Sequence, residues 1–123
     1  MTISDLIDQA QEKKAQNRDS QAIDLLQQAL EQLDQQSDQN ELKAQTCLDL
    51  SLLMRSQGKY KKTSVYLQKA AEYFTKNHHT TFHTDVAGCY YQLGQLYTSL
   101  IRPKIAQSWY QHSYDILVQC LGT

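Results

Sequence analysis

Apolar side chains recur every three or four positions in six successive stretches between Ile3 and Leu121, each long enough for an amphipathic α-helix. Short polar runs separate the stretches. Only four Gly and one Pro occur in 123 residues, which leaves room for tight connections and little else. Abundant Gln, Leu, Ala, Lys and Glu favour helix over strand. The chain is therefore expected to be all-α, one domain spanning 1–123 around a single modest core.

The first helix is expected from about Ile3 to Gln16, with Leu6 and Ala10 inward, stopping at Asn17-Arg18-Asp19-Ser20. Asp19 or Ser20 can cap the second, whose Ala22, Leu26, Ala29, Leu30 and Leu33 form one stripe. Asp38, with Glu41 three residues on, has the spacing of a capping box for a third helix carrying Cys47, Leu50, Leu53 and Met54. Gly58 suits a left-handed C-terminal turn. The fourth helix starts near Tyr60 and frays at Lys76-Asn77-His78-His79, the fifth runs from about Thr81, and Pro103 opens the sixth.

The helix pairs repeat. Tyr90-x-x-Leu93-Gly94-x-x-Tyr97, followed by Ala106-x-x-x-Tyr110, resembles the tetratricopeptide pattern Trp-x-x-Leu-Gly-x-x-Tyr with Ala-x-x-x-Phe in its second helix. A second copy places Cys47, Leu50, Ser51 and Met54 in the first helix and Thr63, Leu67 and Ala70 in the second, with Gly58-x-Tyr60 at the turn. A degenerate first copy has Leu6 and Ala10, then Ala22, Leu26 and Ala29, with Gln9 and Lys13 where the pattern has Leu and Tyr. Ala22 lies 41 residues before Thr63, which lies 43 before Ala106. Such spacing is similar to the long-helix variant of the tetratricopeptide repeat in kinesin light chains, spindle-orientation adaptors and bacterial peptide-sensing regulators. The resemblance implies three antiparallel helix pairs, over about 3–36, 39–77 and 81–121, stacked as a right-handed superhelix.

That family holds peptides or partner helices in the concave groove lined by its first helices. Transferred residue by residue, the resemblance places Ile7, Gln11 and Lys14, then Gln45, Leu48, Leu52 and Arg55, then Tyr91, Gln95 and Thr98 on that groove. Amides can bond a peptide backbone, Leu48, Leu52 and Tyr91 can accept an apolar side chain, and Lys14 and Arg55 can meet a carboxylate. The bland alternative is a solvated polar face. The chaperone-tail clamp of some relatives needs Lys and Asn where Ile7, Gln11 and Leu52 stand, so that activity is not expected.

The end of the stack is a second candidate surface. Ala106, Tyr110, Ser113 and Leu117 are expected to pack inward, leaving Trp109, Ile116 and Cys120 to one side as a self-association surface for a homodimer. The competing expectation is a monomer that folds these residues into its own repeat. A head-to-tail stack has an electrostatic motive: residues 1–50 carry ten acids and four bases, and residues 51–123 carry three acids and eight bases.

Other chemistry finds little support. The net charge of −1 disfavours nucleic-acid binding, and Lys59-Tyr60-Lys61-Lys62 with Arg55 is expected to be a solvated helix start. There is no phosphate-binding loop, recognisable nucleophile or carboxylate pair, so no enzyme is expected, and no cofactor. His79 and His83 are four apart, but with no carboxylate or Cys seen at ligand spacing and His112 a helix away, no metal is expected. Cys47, Cys89 and Cys120 are odd in number and lack any Cys-x-x-Cys pair, so they are expected to be buried small apolar residues rather than disulfide or zinc-site cysteines. No apolar run approaches a membrane span, and Met1-Thr2-Ile3-Ser4-Asp5 is unlike a secretion signal, so a cytoplasmic location is expected. A binding module, a self-assembling unit and the ligand-sensing part of a regulator remain as function classes.

Overall fold

The computed structural model describes residues 1–122. Six helices account for it: α1 (Ile3–Ala15), α2 (Asp19–Asp34), α3 (Asn40–Ser56), α4 (Tyr60–His78), α5 (Thr84–Ser99) and α6 (Pro103–Cys120). No strand occurs among the described residues. Each helix packs on its neighbours in sequence, most closely within the pairs α1/α2, α3/α4 and α5/α6. This is the all-α stack of three antiparallel helix pairs that the repeat resemblance implies, built from the six helices that the periodicity predicts.

The repeat is visible in its turns. Asn17, Gly58 and Ile101 all adopt left-handed backbone, with φ of 59°, 74° and 56°. In each turn two amides fold back onto the preceding helix. Gly58 N–H donates to the Arg55 carbonyl at 3.0 Å and Lys59 N–H to the Met54 carbonyl at 2.9 Å, with the same pairing at Asn17/Arg18 and Ile101/Arg102. This Schellman arrangement satisfies carbonyls at the helix end and turns the chain sharply enough to start the next helix two residues later.

Small residues recur at equivalent places in the pairs. Ala10, Ser51 and Gly94 are buried in the first helices, and Ala22, Thr63 and Ala106 in the second. They let the helix backbones approach, while Leu26, Leu67 and the Tyr110 ring fill the space beside them. Ser51 and Thr63 keep this role by donating to their own helix, to the Leu48 carbonyl at 2.6 Å and the Lys59 carbonyl at 2.9 Å. Leu50, Met54, Phe74, Val86 and Cys89 belong to one buried cluster that runs between the pairs.

Two expected caps are not formed. Because the Schellman turn delivers the chain directly, Arg18 is the N-cap of α2 and Asp19 already lies in its first turn, where its charge suits the helix dipole. The N-cap of α3 is Gln39, left-handed at φ 68°, with no side-chain cap, so Asp38 is not a capping residue. The buried Lys43 instead reaches back to the Gln36 carbonyl and secures that connection. The capping box that does form is at α1, where Thr2 Oγ1 accepts from Asp5 N–H at 3.1 Å and Asp5 accepts from Thr2 N–H at 3.3 Å.

Candidate functional site

The odd-numbered helices share one face. Gln11 on α1 donates to Asp49 Oδ2 on α3 at 3.2 Å, and the Arg55 guanidinium on α3 donates to Ser99 Oγ on α5 at 3.4 Å. On the other layer Gln27 of α2 donates to the Tyr66 hydroxyl of α4 at 3.3 Å, and Tyr73 of α4 donates to Asp34 of α2 at 2.7 Å. These cross-links place α1, α3 and α5 side by side in one layer, and α2 and α4 in the second.

Most of the groove residues expected from the sequence occupy the first layer's outer surface or its seams. Gln11 and Gln45 are exposed, and Ile7, Lys14, Arg55 and Gln95 are half-buried. Leu48 is half-buried against the core cluster, so it supports the surface more than it offers contact. Leu52 and Tyr91 are 50% and 51% exposed, large for apolar side chains with no charged group of their own. The Tyr91 ring lies 5.4 Å from that of Tyr110 on α6, and Thr98 Oγ1 sits 3.4 Å from the Tyr110 hydroxyl. Arg55 and Gln11 are already engaged with neighbouring helices, so they brace the layer as well as face solvent.

Beside Tyr91 an open groove of about 480 Å³ runs between the end of α5 and α6. Thr98, Ile101, Pro103, Tyr110 and Tyr114 form most of its walls. Of these only Thr98 is among the site residues read from the sequence. The missed signal is the run Tyr110, Tyr114, Leu117, Leu121, whose spacing of four, three and four residues marks one flank of a helix.

That flank also corrects the self-association surface. Ile116 is 6% exposed and joins Ala71, Phe74 and Val86 in the core, and Trp109 packs on Tyr90 at 5.3 Å and lines a cleft with Gln68 and Thr75 of α4. Leu117, expected inside, is exposed, as are Tyr114 and Leu121. The inward arc of α6 is turned toward Trp109 and Ile116, the side on which Ile116 joins the buried cluster and Trp109 borders the cleft beside α4. Of the three expected self-association residues Cys120 alone is exposed, and the expectation that all three cysteines are buried holds for Cys47 and Cys89 but not for Cys120, which lies at the end of α6.

The histidines are arranged differently from their spacing. His79 is the left-handed C-cap of α4 at φ 57°, and it is His78 that meets His83, with Asp85 between their nitrogens. The expectation that no carboxylate lies at ligand distance is therefore overturned. His112 stands apart, 6.0 Å from the Trp109 ring. Lys59, Tyr60, Lys61 and Lys62 lie exposed at the start of α4.

Burial pushes the Cys47 and Cys89 thiols up to about 12, which keeps both protonated and poor as nucleophiles. Tyr73 is raised as well, by burial first and then by its hydrogen bond to the Asp34 carboxylate. Among the described residues no helix is long and apolar enough to cross a membrane.

The backbone is similar to the crystal structure of BtubC (BKLC) from P. vanneervenii, with a TM-score of 0.80 at 20% identity over 93% of this chain. At that identity the likeness is one of fold, and the chain spans 45% of the BtubC length. No curated protein matches the sequence. The model of the family described as "Uncharacterized protein conserved in bacteria (DUF2225)" matches residues 3–117, from the start of α1 well into α6, and the chain belongs to that family.

Proposed function

We propose that this chain is a non-enzymatic binding module of the tetratricopeptide-like class that holds a protein or peptide segment on the face formed by α1, α3 and α5. The observation that carries the reading is the exposure of Leu52 and Tyr91 on a face whose other members are mainly amides, hydroxyls and the two bases Lys14 and Arg55, with Ile7 and Leu48 half-buried among them. Large apolar side chains set singly among amides suit a segment whose backbone bonds to the amides while one or two side chains enter apolar places. The groove beside Tyr91 supplies one such place. A cytoplasmic setting belongs to the same reading and rests on three free thiols, two of them buried.

Selection of peptides from a random displayed library tests it. Selected peptides should bind the wild-type protein and lose at least about tenfold in affinity, or 1.4 kcal/mol, on Leu52→Ser with Tyr91→Ser. Unchanged affinity in a double variant that keeps its helical signal and melting temperature overturns the reading.

A second reading is self-assembly through α6. It is favoured by Tyr114, 62% exposed, together with Leu117 and Leu121 along the same flank.

A further inference from the structure

We propose that His78, His83 and Asp85 form a binding site for a divalent transition-metal ion of the zinc type, clamping the end of α4 to the start of α5. One ligand atom from each residue lies within 4.8 Å of the others. His78 Nε2 is 2.9 Å and His83 Nδ1 3.4 Å from the same oxygen, Asp85 Oδ2. Donors of one tetrahedral zinc ion, with metal–ligand bonds of about 2.0–2.1 Å, stand about 3.3 Å from each other, so the three groups are close enough to share an ion after a side-chain rotation. All three side chains keep partial access to solvent, at 23%, 37% and 43%, which provides an entry path and leaves a fourth position for water.

The local fold explains why these residues meet. His78 is the last residue of α4, His79 turns left-handed, and Thr80 N–H bonds back to the Thr75 carbonyl at 3.2 Å. The chain therefore doubles back and lays the His83 ring over the His78 ring at 3.5 Å with 8° between their planes. His83 is also the N-cap of α5, its Nδ1 accepting from Asp85 N–H at 3.0 Å.

Metal-free and metal-bound arrangements differ in a defined way. A neutral imidazole has one lone pair in its ring plane, and parallel rings cannot aim two such lone pairs at one point. On binding, His83 turns about its Cβ–Cγ bond and exchanges the Asp85 N–H for the metal. His78 moves its proton from Nε2, where the carboxylate now holds it, to Nδ1, and the freed Nε2 lone pair becomes a ligand. Two imidazoles and one carboxylate favour zinc, cobalt or nickel over magnesium or calcium, which prefer oxygen sets.

The site is independent of the groove reading, and its test needs no partner. Untagged protein carrying Cys120→Ser, to remove the exposed thiol, is titrated with zinc and separately with cobalt(II). Zinc near saturation should raise the melting temperature by about 5 °C or more. Cobalt should give the visible bands of a nitrogen-ligated ion, zinc should move the Asp85 amide resonance, and magnesium should do neither. His83→Asn keeps a capping side chain while removing the ligand, and His78→Gln keeps polarity. Both should melt near the metal-free parent and lose the zinc increment. Absence of a zinc shift in the parent, or an equal shift in His83→Asn and His78→Gln, overturns the proposal.

Discussion

The ring of Tyr110 lies where a side chain on Gly94 would have to go: a Cβ there would stand 2.6 Å from Tyr110 Cδ1 and Cε1. Contact that close is not tolerated between carbon atoms, so α5 and α6 approach as they do because position 94 has no side chain. The small residue and the aromatic one are complementary halves of a single packing feature.

Gly94→Ala is the direct consequence. Alanine is the better helix former by about 1 kcal/mol, but displacing the Tyr110 ring costs about 1–3 kcal/mol, so a net loss of roughly 1 kcal/mol is expected. Chemical denaturation checks the value. Combined with Tyr110→Ala, which vacates the space, the same change should turn stabilising, and a stabilised single variant sinks the packing argument.

Ile101 is a β-branched residue in left-handed backbone at φ 56° and 86% exposed, so its side chain gains nothing from burial. Replacement by Gly, as at the equivalent Gly58, or by Asn, as at Asn17, should relieve the strain and raise stability by about 1 kcal/mol. The denaturation midpoint should rise with an unchanged slope. Ile101 also lines the groove at the end of α5, so the same substitution should weaken any peptide seated there.

Thiol reactivity follows burial. In native protein near pH 8 a maleimide should modify Cys120 quickly and leave Cys47 and Cys89 intact until the chain unfolds. Mass spectrometry counts the labels, and rapid modification of all three would show that the core opens readily. The same two thiols make the fold base-sensitive. In the unfolded chain they lose protons near their ordinary value of 9.0, whereas the folded state holds them to about 12. The unfolded state thus binds fewer protons between these limits, and stability should be flat with respect to these thiols below pH 9 and fall as pH rises above it.

Self-association, where it occurs, should depend on the outer flank of α6. Sedimentation velocity is expected to show weight-average size rising with concentration, and Leu117→Glu should abolish the rise while leaving the melting temperature within a few degrees. Trp109→Glu would not report on that flank, because the half-buried Trp109 ring packs against Tyr90 and His112 instead. A monomer at every concentration removes the assembly reading.

Helix number, turn positions and the equivalence of Ala10, Ser51 and Gly94 were legible from sequence, because period and spacing are local properties of the chain. Left-handed Gly58 was legible for the same reason. The caps of α2 and α3 were not, since a Schellman turn at Asn17 and a left-handed Gln39 bring the chain into each helix along paths that make side-chain caps unnecessary.

Periodicity gave α6 an apolar stripe but left its rotation open. Packing into the buried cluster shared with elements distant in sequence decided that Ile116 turns inward and Leu117 outward, which moved the exposed flank onto Tyr114, Leu117 and Leu121. The histidines show the same division. Spacing of four suggested His79 with His83 on one helix face, but the helix ends at His78, and only the reversal through His79 stacks His83 on His78 above Asp85. A single chain's local pattern determines which faces are apolar; which of them meet a neighbour, and which remain for a partner, is settled by packing between elements distant in sequence.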